Sequence, residues 1–275
     1  MLAHEHVLIR EHVLAREHLM IRVQGSWLVA NSKRSIRLAA FGDIHYSKAL
    51  SGTLEPLFAQ LAAAADVVVV CGDLTVHGHP AEADLFAREI TAVVKTPILA
   101  VLGNHDYQGG EPEQVRDALV DRGIIVLDGE SHEWEGIGFA GVKGFCGGFG
   151  KCMLESWGEP MIKRFVHEVV EDALRLETAL SQLRTTHKVV ITHYAPIRAT
   201  VEGEPPEIFP FLGCSRFEDP INRYEATVAF HGHAHHGSPE GKTLAGIPVY
   251  NVAIPVLERS FPEQPPFRVI ELAVE

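Results

Sequence analysis

The stretch Pro97-Ile-Leu-Ala-Val-Leu-Gly-Asn-His-Asp106 sets an asparagine, a histidine and a carboxylate directly after an apolar run. The apolar run predicts a buried strand, and Gly103 and Asn104 tolerate the backbone turn that ends one. Two interpretations are open. The polar residues form a plain turn, or they mark a site, because open α/β sheets bind ligands at the carboxyl ends of their strands.

From Ile36 onward, apolar runs of strand length alternate with helical periodicity, which is typical of a layered α/β domain. The patterns predict strands over 36–41, 67–71, 98–102, 188–192 and 227–230. They predict helices over 54–61, 85–94, 112–119 and 162–183. No linker divides residues 35–275, so we expect one domain there.

The central part of the chain differs, because the runs 124–127, 133–135 and 137–142 follow each other with only short turns. This spacing predicts antiparallel strands and therefore a second sheet. Residues 248–252 and 267–273 are expected to complete that second sheet. The long irregular segments 144–160 and 195–222 are typical of functional or mobile loops.

Residues 1–34 are expected to be an N-terminal extension, either disordered or a mis-assigned start. A six-residue near-repeat begins at Glu5, Glu11 and Glu17, and six is a poor helical period because the apolar face drifts by a third of a turn in each copy. Met20 is a candidate initiator. The repeat unit is also too short for a solenoid.

Composition limits the classes of function. The formal net charge of −12 argues against nucleic-acid binding by broad phosphate neutralisation. No apolar stretch is long enough to span a membrane, and no signal-peptide core is present, so we expect a cytoplasmic protein. The four cysteines contain no CxxC pair, which indicates reduced residues rather than a zinc ribbon or a disulfide framework. A protein this acidic that handles phosphate needs positive charge from another source, such as a bound metal.

Polar clusters follow five of the predicted strands. Each cluster alone is typical of a turn, but parallel strands deliver their carboxyl ends to one edge of a sheet. We therefore expect two Asp, one Asn and four His to converge from these clusters, which contain Asp43, His45, Asp73, Asn104, His105, His193, His233 and His235. Carboxylates and imidazoles packed together are unfavourable unless metal ions lie between them. Mixed oxygen and nitrogen ligands suit Mn, Fe or Zn better than Ca.

The ordered blocks Asp43-x-His45, Gly72-Asp73, Gly103-Asn104-His105-Asp106, His193 and Gly232-His233-x-His235 resemble the calcineurin-like metallophosphoesterase superfamily. All five blocks are present in family order. The resemblance implies an α/β fold, namely a four-layer α/β/β/α sandwich of two mixed β-sheets flanked by helices. It also implies a metal-dependent phosphoesterase.

The resemblance implies a role for each residue of these blocks. One metal ion is bound by Asp43, His45 and His235, and the second by Asn104, His193 and His233. Asp73 bridges the two ions, and His105 is catalytic, facing the leaving group. Two such ions polarise phosphoryl oxygens and activate a shared water for attack on phosphorus.

The substrate class is narrowed by one departure and one agreement. Val76 and His77 stand where serine/threonine protein phosphatases have an acidic residue and an arginine, which makes that activity unlikely. The sequence Gly-Asn-His-Asp resembles instead the bacterial branch that includes cyclic-nucleotide and glycerophosphodiester phosphodiesterases. We expect a small-molecule phosphodiester or phosphomonoester, with a nuclease or a non-catalytic scaffold as alternatives.

Several residues are left with two interpretations each. Asp106 either orients a nearby histidine or caps its turn, and His77 either contacts substrate phosphate or is solvated. The glycine-rich loop 144–150 either stacks its aromatic rings on a base or tucks them into the core. Arg198 and Arg216 either hold a second phosphate or face solvent. Finally, His231 and His236 are more typical of structural or solvated residues than of groups that support the ligands.

Overall fold

The computed structural model of the protein describes residues 19–23, 26–30 and 34–274. Leu19–Val23 (β1) and Ser26–Ala30 (β2) pair antiparallel as a two-stranded sheet. Most of the hexad near-repeat lies outside the described residues. The division of the chain between residues 34 and 35 therefore stays a prediction.

The remaining strands are β3 (Arg34–Phe41), β4 (Val67–Cys71), β5 (Ile98–Val101), β6 (Ile125–Val126), β7 (Ser131–Trp134), β8 (Ile137–Gly141), β9 (His187–Ile191), β10 (Val228–His231), β11 (Glu240–Lys242), β12 (Pro248–Asn251) and β13 (Arg268–Val274). The α-helices are α1 (Glu55–Ala64), α2 (Pro80–Val93), α3 (Pro112–Val120), α4 (Pro160–Gln182), α5 (Phe209–Leu212), α6 (Glu218–Arg223) and α7 (Ile254–Ser260). Every one of these helices except α6 has a proline at its first or second position. Proline suits the first turn because its missing N–H would have no partner there.

The strands form two mixed sheets. The first has the order β13-β3-β4-β5-β6, with β3 to β6 parallel and β13 antiparallel to β3. The second has the order β11-β12-β10-β9-β8-β7, with a parallel centre and an antiparallel strand at each edge. Both faces of the central strands are covered, which explains why β4 reads as an uninterrupted apolar run.

Three apolar layers hold the sheets and helices together. The layer between the two sheets contains Leu38 and Val69 of the first sheet against Ile191 and Phe230 of the second. Helices α1 to α3 cover the other face of the first sheet, and α4 covers the other face of the second. The predicted four-layer α/β/β/α sandwich is therefore confirmed. In the described part of the chain, no helix has both the length and the apolarity needed to cross a bilayer.

Two strand assignments from the sequence are wrong. Residues 267–273 do not complete the second sheet, because β13 pairs with β3 in the first. Residues 124–127 are not antiparallel either, because β6 follows helix α3 and pairs parallel with β5. Only β7 and β8 form the expected antiparallel hairpin. Apolar periodicity gives the type of each strand, but it does not identify the strand's partner.

The layer between the sheets predicts a large mutational effect at Phe230, which is fully buried there. Phe230→Ala should lower the free energy of unfolding by about 3 to 5 kcal/mol, because it removes apolar contacts and leaves a cavity. Urea denaturation measures this change. Leu244→Ala is the control, because Leu244 is 94% exposed and its truncation should change stability by less than about 0.5 kcal/mol. Equal effects of the two substitutions would contradict the assigned core.

Candidate metal centre

Five parallel strands from the two sheets deliver polar side chains to one place. Residues Asp43 and His45 follow β3, Asp73 follows β4, and Asn104 and His105 follow β5. From the second sheet, His193 follows β9, while His233 and His235 follow β10. The structure therefore brings together all eight residues that the sequence singled out.

Three groups of side chains have potential ligand atoms that all lie within 4.8 Å of one another: Asp43, His45 and His235; His45, Asp73 and His105; and Asp73, His193 and His233. Asn104 joins the last group, because its Oδ1 lies 2.9 Å from Nε2 of His193. The first and last groups correspond to the two ligand sets that the family resemblance implies. Asp73 is close to both sets, as a bridging ligand must be.

The backbone is strained at this centre. Positive φ angles, which non-glycine residues rarely adopt, occur at Asp43 (57°), His45 (44°), Asp73 (49°) and His233 (66°). Strain of this kind persists only where the surrounding structure imposes it, and it clusters at functional sites. The positive-φ conformation directs each of these side chains into the centre within a few residues of the end of its strand.

Two glycines allow the loops to approach the carboxylates. A Cβ atom on Gly232 would lie 2.1 Å from Oδ2 of Asp43, and one on Gly103 would lie 2.2 Å from Oδ1 of Asp73. Both distances are far below van der Waals contact. The glycines in the Gly-Asn-His-Asp and Gly-His-x-His blocks are therefore required by the space available to them.

Two carboxylates are nearly inaccessible to water, with Asp43 3% and Asp73 2% exposed. Burial alone would raise the pKa of Asp43, but its hydrogen bond with His235 and the nearby histidines lower that pKa below its usual value. Burial and the charges of Asp43 and Asp106 raise the pKa of Asp73 to about 8. Ionised Asp73 therefore lacks sufficient positive charge from the protein alone.

Most imidazoles of the centre favour the neutral form that binds metals. Burial lowers the pKa of His45 to about 4 and that of His233 to about 3. Burial also lowers the pKa of His193. His235 is the exception, because its hydrogen bond to Asp43 raises its pKa.

The donor atoms fit a metal ion better than they fit each other. Nε2 of His45 is buried without a hydrogen-bond partner, at 3.7 Å from Oδ2 of Asp73. Nδ1 of His193 donates to the Cys71 carbonyl at 2.9 Å, so the Nε2 lone pair faces Oδ1 of Asn104. A cation between these atoms would satisfy both, and oxygen with imidazole donors suits Mn, Fe or Zn.

The orientation of His105 is fixed by two contacts. Its backbone N–H donates to Oδ1 of Asp73 at 2.8 Å, and its ring Nδ1 donates to the Val76 carbonyl at 2.8 Å. The ring centroid lies 4.5 Å from that of His45. His105 therefore lies beside the candidate ligands, with Nε2 left to act on a bound group.

Asp106 caps turns rather than orienting a histidine. Its carboxylate is fully buried and accepts hydrogen bonds from the backbone N–H groups of Gly103, Leu74 and Thr75 and from the Thr75 hydroxyl. It therefore ties the loop that carries Asp73 to the loop that carries Asn104. The turn interpretation from the sequence is confirmed for this residue.

Several other candidates are engaged elsewhere. His77 is exposed and bonded to Glu82, Arg198 pairs with Glu202, and Arg216 pairs with Glu155. His231 is buried and bonded to Thr200, while His236 is exposed. In the glycine-rich loop, Phe149 is tucked into the core, whereas Phe145 is only half-buried. The four cysteines are free.

Sequence reasoning missed one part of the site. A cavity of about 500 Å³ adjoins the centre through Asn104 and is lined also by Tyr107, Lys143, Phe145, Met161, Arg164, Phe165, Glu168 and Tyr194. Lys143 closely follows strand β8, so the argument that polar residues after parallel strands converge applies to it as well. A single lysine before a glycine-rich loop is, however, typical of a solvated residue, and the sequence alone therefore does not indicate a site there. Burial lowers its pKa below the ordinary lysine value.

Comparisons with known proteins identify similar sequences and folds. Residues 36–237 match the family model of the calcineurin-like phosphoesterases. Phosphopantetheinyl hydrolase from Mycobacterium tuberculosis is similar in structure, with a TM-score of 0.61 and 16% identity over 85% of this chain and 95% of that one. The protein TT1561 of Thermus thermophilus is similar with a TM-score of 0.53 and 17% identity, over 88% and 100% of the respective chains. The search of curated proteins gave no significant match.

The role of Asp106 predicts a loss of stability when its charge is removed. Asp106→Asn turns an amide N–H₂ towards backbone donors, and we expect the free energy of unfolding to fall by about 1 to 3 kcal/mol. Urea denaturation of metal-free protein measures the change. Asp117→Asn is the matched control on the exposed side of α3, and it should have no measurable effect. An unchanged free energy of unfolding in Asp106→Asn would show that the four hydrogen bonds contribute nothing to stability.

Proposed function

This chain belongs to the calcineurin-like phosphoesterase family and is a hydrolase of phosphoric ester bonds. From that premise we propose that it binds two metal ions and uses them to cleave small-molecule phosphodiesters. Cyclic nucleotides are among the diesters of suitable size. The family typically binds a binuclear metal centre, and the clusters of aspartate and histidine that such a centre requires are present here.

Asp73 carries the proposal, because its carboxylate is close to two separate sets of ligand atoms. We assign one ion to Asp43, His45 and His235, and the other to Asn104, His193 and His233. Mn, Fe and Zn are the metals that match these donors. When bound, two such ions polarise the phosphoryl oxygens and lower the pKa of a shared water.

The protein itself supplies a group for the leaving oxygen and a neutral ligand for one metal ion. His105 is held by Val76 and by the loop of Asp73, so its imidazole is directed at a fixed position beside the centre. We assign it to stabilise or protonate the oxygen that leaves phosphorus. Asn104 supplies a neutral oxygen ligand, which limits the negative charge around its metal ion and so preserves the Lewis acidity of that ion.

Small diesters are favoured over phosphoproteins and nucleic acid. The protein phosphatase arginine is replaced by His77, whose ring is bonded to Glu82. The net charge of −12 disfavours a nuclease that tracks a phosphate backbone. A cytoplasmic location is part of the proposal, and the four free cysteines support it.

Metal restoration tests the proposal. Protein stripped of metal should not hydrolyse bis-p-nitrophenyl phosphate, and Mn²⁺ should restore the activity, because the buried carboxylates and imidazoles supply a complete ligand set. Asp73→Asn should bind Mn²⁺ at least about tenfold more weakly in calorimetry and lose activity, since it removes the shared charge.

The control for this experiment is Asp117→Asn, which should bind and hydrolyse as the unchanged protein does. Absence of hydrolysis with Mn²⁺, Fe²⁺ and Zn²⁺ alike would refute the proposal. Hydrolysis of single-stranded DNA faster than of small diesters would favour the nuclease instead.

His105 has a separate prediction. His105→Ala should lower kcat for a cyclic nucleotide, whose alkoxide leaving group needs a proton, by about 10² to 10⁴, the usual contribution of a general acid, and leave Mn²⁺ affinity within about threefold. Steady-state kinetics and calorimetry give the two quantities. His167→Ala removes an exposed imidazole on α4 and should change neither. A large loss of metal affinity in His105→Ala would show that His105 is a ligand.

A further inference from the structure

The cavity beside the metal centre is large enough for part of a substrate. Its volume is about 500 Å³, and Asn104 belongs both to its wall and to the candidate metal centre. Tyr194 lies between the two as well, because its ring is 4.4 Å from the ring of His233 and 5.3 Å from the Lys143 ammonium. A phosphoester bound at the centre can therefore extend directly into the cavity.

The Lys143 ammonium in this cavity is only partly satisfied. It donates one hydrogen bond, to the Gly144 carbonyl at 2.9 Å. Its other neighbours are aromatic rings, with centroids at 4.7 Å for Phe145, 5.2 Å for Tyr107 and 5.3 Å for Tyr194. Within residues 34–274, no carboxylate lies within 4.0 Å of it. An ammonium has three donors, so two remain for an acceptor that the protein itself does not supply.

The other charged residues around the cavity do not cancel its positive charge. Arg164 and Glu168 both line it from helix α4 and both are exposed. Outside the lining, Arg175 is shared between the carboxylates of Asp172 and Asp128. Among the residues that line the cavity, Lys143 and Arg164 are cations and Glu168 is the one carboxylate, so the lining carries a net positive charge. In a protein with a formal charge of −12, such a lining selects anions locally.

The rest of the wall is apolar. Phe145 packs against Phe165 with ring centroids 4.9 Å apart, and Met161 is 70% exposed at the entrance. These side chains suit contact with a hydrocarbon chain or a planar ring of a ligand. The cavity thus combines a net positive charge with an apolar surface.

We infer that this cavity binds a second anionic group of the substrate, which makes Lys143 a specificity-determining residue for phosphoesters that carry a further phosphate on an apolar body. The inference rests on the proposed function, since it assumes that the first phosphate binds at the metal centre. It adds the chemical class of the substrate's other half. Lys143 contacts the distant phosphate and takes no part in bond cleavage.

Binding of matched ligands tests this inference without requiring turnover. The probes are the bisphosphates of propanediol, butanediol and hexanediol, each compared with the matching alkyl monophosphate on Mn²⁺-loaded protein by calorimetry. At least one bisphosphate should bind about 10- to 100-fold more tightly than its monophosphate, as a charge-assisted hydrogen bond allows. Lys143→Met keeps the aliphatic contacts with the rings and should abolish that preference.

Lys163→Met is the matched control, because Lys163 is an exposed lysine at the start of α4 that does not line this cavity. It should retain the full preference for the bisphosphate. The inference is overturned if no bisphosphate binds more tightly than its monophosphate, or if Lys143→Met weakens both classes equally. Both results come from binding measurements, whereas the proposed function is tested by hydrolysis of bis-p-nitrophenyl phosphate. Failure of the inference and failure of the proposed function can therefore be distinguished.

Discussion

Two acidic side chains, Asp43 and Asp73, are buried together with imidazoles around them, and the rest of the site is arranged to make that burial possible. Backbone N–H groups of His233 and His105 donate to these carboxylates. Those bonds offset only part of the cost of removing the charges from water. The remaining cost is what a pair of cations would offset, and the orphaned Nε2 of His45 lies where one would bind.

The sandwich supplies the rigidity that this arrangement needs. Strands β3, β4, β9 and β10 are buried in the layer between the sheets, so their carboxyl ends cannot relax independently. Four strained residues, Asp43, His45, Asp73 and His233, follow three of these strands, β3, β4 and β10, within a few positions. A flexible loop would relieve such strain, whereas a strand fixed on both faces maintains it.

Much of this was accessible from the sequence because it depends on local patterns. Apolar runs identified the strands, and the polar residues after them converge for the simple reason that parallel strands end at one edge. The predicted pairing of β6 and of β13 was wrong, because the apolar pattern of a strand does not specify which neighbouring strand completes its hydrogen bonds. Lys143 was missed for another reason: its character depends on three rings, of which Tyr107 and Tyr194 are distant in sequence.

Asp106 shows how a turn residue can matter to chemistry without touching a ligand. The loops after β4 and β5 both carry residues of the centre, and the loop after β5 contains only a three-residue 3-10 helix, His105–Tyr107. One buried carboxylate accepts donors from both loops and so fixes their separation. Its charge also contributes to raising the pKa of Asp73. The same aspartate that positions the loop therefore increases the need of the centre for a cation, which couples the geometry of the turn to metal binding.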